Sequence, residues 1–143
     1  MKFLLLSLFL CILVTASTAQ TTTTRSPVIA EMQLAIGKML MLVRDLSAAN
    51  SAFTKDTGDQ TALNTLYTTS EELYQLFSVF SSAKISTLSL GSRDRVNQAM
   101  SSFRNSLTAW ETAMDQRSAT ELARTFKEVE NAFLMLGGVV FSL

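Results

Sequence analysis

Histidine is absent from the 143 residues, and cysteine occurs once, at Cys11. Without histidine there is no Ser-His or Cys-His nucleophile, no ordinary zinc site and no Glu-x-x-His di-iron site of the kind that helical bundles hold. A single cysteine forms no internal disulfide. Proline also occurs once, at Pro27, and glycine only five times, so long helices meet few breakers. Neither sign of charge dominates: 12 basic residues face 12 acidic ones, which gives no electrostatic reason to expect nucleic acid or an anionic membrane as partner. Residues 3–14 are mostly apolar, but twelve residues fall well short of the roughly 20 that cross a bilayer.

That stretch has a different meaning. Lys2 gives it a positive start, and Thr15-Ala16-Ser17-Thr18-Ala19 follows as a series of small and polar residues. The layout is that of a secretory signal peptide over residues 1–19, cut ahead of Gln20. Processing takes Cys11 and Lys2 with it, leaving a thiol-free secreted chain with no transmembrane segment, held together by its core alone. Residues 20–26 then form a Thr-rich polar leader with nothing apolar to bury, expected to be a disordered arm. Thr21 to Thr24 fit either O-glycosylation or a plain solvated tail.

From residue 27 onward the apolar residues follow the three- and four-residue step of amphipathic helices. The first stripe is Ile29, Met32, Ile36, Met39, Val43, Leu46 and Phe53, interrupted only by Asn50. Ser26-Pro27 opens it as cap and first-turn proline. Thr57-Gly58-Asp59 lies in a loop, and Asp59 caps a second helix with the stripe Leu63, Leu66, Leu73, Phe77 and Phe80. Tyr67 and Tyr74 flank that stripe, with their hydroxyls expected in water. The segment 81–91 is the longest interruption, with Ile85, Leu88 and Leu90 placed to tuck across one end.

Ser92 is the expected cap of a third stripe, Val96, Met100, Phe103, Leu107, Trp110 and Met114, and Ser118-Ala119-Thr120-Glu121 is a capping box for a fourth. The fourth stripe, Leu122, Phe126, Val129, Phe133 and Leu136, is expected to stop at Gly137-Gly138, leaving residues 139–143 as an apolar tail. The predicted fold is all-α: a disulfide-free up-down-up-down four-helix bundle over residues 27–143, with helices at about 27–53, 60–82, 92–115 and 118–136. The alternative reading of 118–143 as a lipid-anchor signal would delete the fourth helix and its cap, so the intact helix is expected.

The densest carboxylates, Glu71-Glu72 and the pair Glu111 and Asp115, fall on polar helix faces, where acids are ordinarily solvated, and no catalytic or metal motif accompanies them. The sequence is therefore expected to be noncatalytic and to carry no cofactor. Its informative excess is apolar. The run Met39-Leu40-Met41-Leu42-Val43 is apolar all the way round the helix, and Leu34, Val79, Leu134 and Met135 also lie off their stripes. Seven methionines, six of them after Met1, suit adaptable apolar contacts. These residues either fill a generous core, hold a lipid between helices, or expose patches to an apolar surface or a partner. The candidate residues for such binding are Met39, Met41, Val43, Phe77, Met100, Trp110, Phe133 and Met135.

The order of segments resembles the fungal hydrophobic-surface-binding or cell-wall galactomannoprotein family. The likeness rests on the long first helix, Thr57-Gly58-Asp59 before Ala62-Leu63, and Leu88-Ser89 leading into Arg93-Asp94-Arg95-Val96, and it covers about residues 28–141. The resemblance implies an extracellular or wall-associated, O-mannosylated protein that adsorbs to hydrophobic surfaces, and it brings no catalytic residues. The primary expectation is thus a secreted noncatalytic bundle that binds hydrophobic surfaces or lipids. The alternative is a secreted effector or signalling module that binds a protein partner through a helix face.

Overall fold

The computed structural model describes residues 26–143, so the expected signal peptide, Cys11 and Thr21 to Thr24 lie outside the described residues. Four long helices make up the bundle: α1 (Pro27–Lys55), α2 (Gln60–Gln75), α4 (Leu90–Asp115) and α5 (Ala119–Phe141). Between α2 and α4 the chain tightens into a 3-10 segment, Leu76–Phe80, and then a single turn, α3 (Ser82–Ile85). All the stripe residues after Ile29 are buried, including Met32, Met39, Leu46, Leu66, Leu73, Phe103, Leu107, Trp110, Leu122 and Leu136.

Three ends differ from expectation, two of them because packing overrides local preference. The second helix does not run to residue 82. Phe77 and Phe80 are both buried, and a 3-10 turn, with three residues per turn, puts positions three apart on one face. The third helix begins at Leu90 with Ser89 before it rather than at Ser92; the two serine hydroxyls bond each other at 2.8 Å. Ile85 and Leu88 tuck into the core as expected, whereas Leu90 is exposed. Gly137-Gly138 does not end the last helix, which continues to Phe141 because Val140 is fully buried and Gln33 Nε2 donates to its carbonyl.

The tight link from α4 to α5 explains why only half of the capping box forms. Ser118 Oγ accepts from the Glu121 N–H at 3.4 Å. The Ser118 N–H is already taken by the Ala113 carbonyl, and Arg117 N–H by Met114, in a turn that holds Arg117 at φ 51. Glu121 instead pairs with Arg124, which also reaches Glu128 and holds the Glu121 carboxyl below its ordinary range. Arg117 in turn donates to the Thr57 carbonyl at 2.9 Å, joining the two short loops at this end of the bundle.

Asn50, the one polar break in the first stripe, is 5% exposed. Its Oδ1 accepts from Trp110 Nε1 of α4 at 2.8 Å, and its Nδ2 donates to the Leu122 carbonyl of α5 at 3.5 Å. Three helices therefore meet at one side chain, and Trp110 also packs edge-on against Phe126, with ring centroids 5.4 Å apart. Asn50→Ala is expected to lower stability by about 1–3 kcal/mol, since it strands a buried indole N–H. A urea-unfolding cycle with Trp110→Phe should show coupling between the two sites, and strictly additive losses would contradict the bond. Gly138→Ala, at a helical position where an added Cβ meets nothing, is expected to raise stability by about 0.5–1 kcal/mol; a loss in the same unfolding assay would mean that the helix ends before it.

Candidate functional site

Six of the eight candidate residues belong to the packed interior. Met39, Val43, Phe77, Met100, Trp110 and Phe133 are all 9% exposed or less, and only Met41 and Met135 stand in solvent. The structure does not gather the eight into one lipid chamber. Val43 and Phe133 touch the floor of a groove between α1 and α5, Phe77 and Met100 that of a cleft beside the 3-10 segment, and Met41 the edge of a groove between α1 and α2. All of these open on the surface.

What the structure does assemble is an outward apolar face on α1 and α5. The two helices run antiparallel, in a register fixed by Gln33 with Val140, Ser47 with Glu130 at 3.1 Å, and Asn50 with Leu122. This register sets Leu40 level with Leu134, which line one groove of about 280 Å³, and Leu34 level with Phe141. Leu34, Leu40, Met41, Leu134, Met135 and Phe141 are each between 55% and 66% exposed. Single exposed leucines need no explanation, but Leu40 and Leu134 meet across one groove, and four more large apolar side chains stand exposed on the same two helices at matching heights.

The α5 side of that face carries no charged side chain at its far end. Residues 131–143 contain no ionisable side chain. Gly37 and Gly138, where an added Cβ would meet nothing, leave the face bare between its two tiers of side chains, and Gly137 lies beside Ile36. On α1 charge is close by: Lys38 and Asp45 lie beside Met41, and Arg44, Lys127 and Glu130 border the groove of Leu40 and Leu134. The off-stripe positions Leu34, Met41, Leu134 and Met135 signalled this face in the sequence. Leu40 was hidden within an all-apolar run and Phe141 within the supposed tail. Leu42 and Val79, also off their stripes, lie partly buried against the core.

On the far side of the bundle, the backbones of α2 and α4 approach within 8 Å between Cα atoms at almost no point, whereas α1 packs closely on α2 and α5, and α5 on α4. Large side chains span this wider seam. Phe77 lies 5.7 Å from Phe103 between ring centroids, and the Arg104 guanidinium sits over Phe77 at 5.5 Å. Both tyrosines are exposed, and their hydroxyls also meet carboxylates of α4: Tyr67 donates to Asp115 at 3.1 Å, and Tyr74 lies beside Glu111. Partial burial, followed by the adjacent carboxylate, pushes both phenols above their ordinary value.

Among the described residues, no group of three or more acidic, histidine or cysteine side chains is placed to hold a metal ion, and no helix is long and apolar enough to cross a membrane. Comparison of the chain with family models, with curated proteins and with solved structures finds no match in any of the three.

The raised phenols have a pH consequence. A group whose folded pKa lies above its unfolded value contributes fully below the unfolded value, near 10, and loses that contribution as pH rises through the folded one. Stability is therefore expected to fall above about pH 10, and Tyr74→Phe should flatten that fall. Thermal melts from pH 8 to 11.5 check this, and identical alkaline slopes in both proteins would contradict the Tyr74–Glu111 pairing.

Proposed function

We propose that the protein is a secreted, noncatalytic helical module that binds hydrophobic surfaces or lipids, with first contact made by the outer face of α1 and α5. The observation that supports this most is the exposure of Leu34, Leu40, Met41, Leu134, Met135 and Phe141 on two neighbouring helices, with Leu40 and Leu134 meeting across one groove and no ionisable side chain in residues 131–143. Folding gains nothing from leaving such side chains in water, so their placement calls for something outside the bundle. A site between the helices is less well supported, because the candidate residues there already pack on one another. Extracellular location rests on the layout of residues 1–19, and the likeness to the fungal surface-binding family points in the same direction.

A protein partner is the second reading. It would dock on the same face, and Arg44, Lys127 and Glu130 beside the groove are charges that such a partner would read. Adsorption to uncharged alkane droplets separates the two, since a charge-reading protein site has no reason to favour plain hydrocarbon. The double variant Leu134→Gln/Met135→Gln changes two exposed positions on α5 and is expected to shift stability by no more than about 0.5 kcal/mol. It should weaken partition onto hexadecane droplets at least about tenfold, given ~1.5 kcal/mol or more for each apolar side chain no longer buried. Unchanged partition would remove this face from the account.

A further inference from the structure

The surface-binding reading concerns the outside of a closed bundle, yet the α2–α4 seam is built to part. We propose that the inner faces of α2 and α4 form a second, latent contact surface, exposed when the bundle unrolls at this seam on an apolar–water interface, and that the apolar phase itself is the occupant. This inference rests on the proposed function and names how much of the molecule meets the surface.

Topology singles out this seam. The connections at 56–59 and 116–118 are short and join helices that stay neighbours, α1 with α2 and α4 with α5. If α1 and α5 also stay paired, the four helices can lie as one layer in the order α2, α1, α5, α4. In that layer α2 and α4 stand three interaxial spacings apart, roughly 24–30 Å. The chain between them, residues 76–89, is fourteen residues, with a reach of roughly 46 Å when extended. None of the four long helices has to unfold. Unrolling at either seam releases the Trp110 indole from Asn50, because α1 and α4 lie diagonally across the bundle; parting α1 from α5 would in addition break the Asn50 bond to Leu122 and the Ser47 bond to Glu130.

The bonds that close the α2–α4 seam are of the kind that gives way. Tyr67 with Asp115, Tyr74 with Glu111 and Arg117 with the Thr57 carbonyl lie at its solvent edge, where water can replace either partner. Behind them the seam is side-chain contact only, through Phe77, Phe103 and Met100. In water, exposing Leu66, Leu73, Phe77, Phe103 and Leu107 would be strongly unfavourable, so the bundle stays shut. Against hydrocarbon that penalty disappears, because the same side chains exchange one apolar neighbour for another. The 3-10 segment and α3 carry Phe77, Phe80, Ile85 and Leu88, which reach the same phase as the linker extends.

A reversible clamp tests this. In a Cys11→Ser background, Tyr67→Cys with Asp115→Cys gives two thiols on opposite sides of the seam, which a bis-methanethiosulfonate reagent joins and a reductant releases. Tyr74→Cys with Glu111→Cys is a second clamp, in case the first pair perturbs folding, and circular dichroism before linking shows which pair is intact. The readout is the fall in hexadecane–water tension with time. The released protein should lower the tension as the unlinked parent does, while the linked protein should do so several-fold more slowly and to a smaller extent. Equal curves for linked and released protein would overturn the seam proposal and leave adsorption through the outer face standing. If the parent itself leaves the tension unchanged, the surface-binding reading and this inference both fall.

Discussion

The bond from Trp110 to Asn50 is the constraint on which the rest of the bundle depends. Apolar stripes drive helices together without saying at which height they should meet, because one leucine fits beside another almost as well a turn away. A buried amide is less forgiving. With its oxygen on the Trp110 indole and its nitrogen on the Leu122 carbonyl, Asn50 is satisfied at one relative height of α1, α4 and α5. A slip of one turn would leave polar groups unpaired in the core, at a cost of about 1–3 kcal/mol apiece. Among the described residues no buried side-chain nitrogen or oxygen lacks a partner, so the arrangement carries this polar group without penalty.

That fixed height has a consequence on the outside. Once α1 and α5 are locked, Leu40 faces Leu134 and Leu34 comes level with Phe141, and two apolar edges that would each be unremarkable become one surface. The interior is filled by Met39, Phe103, Trp110 and their neighbours, so the excess apolar content of the chain is displayed rather than hollowed into a chamber. The fourth seam, which Asn50 does not reach, is the one where backbones stand apart and tyrosines bridge to Asp115 and Glu111. A rigid side and a yielding side thus follow from where a single polar residue is placed.

Much of the fold was legible because burial repeats with the period of the helix. The four stripes named the core, and Asp59 caps α2 as its position suggested, accepting from Ala62 N–H at 2.9 Å. What could not be read depended on partners distant in sequence. Gly137-Gly138 looks like a stop until Val140 is found buried, with its carbonyl accepting from Gln33. Phe77 and Phe80 fit a helical stripe equally well as an α-helix or as the 3-10 segment they adopt. Asn50 seemed a gap in a pattern, and only Trp110, sixty residues away, shows it to be a junction. For the candidate site, apolar residues out of step with their stripes proved the useful signal, as with Met41 and Met135, whereas large size alone pointed to core residues such as Trp110.

Native-state hydrogen exchange in solution tests the division into a locked side and a yielding side most directly. The Trp110 indole proton and the central amides of α1 and α5 are expected to exchange only through global unfolding. The amides of residues 76–89 should exchange through a smaller opening, with a weaker dependence on denaturant. If residues 76–89 proved as protected as α5, or the indole proton exchanged by a local opening, Asn50 would not be the lock and the α2–α4 seam would not be the side that yields.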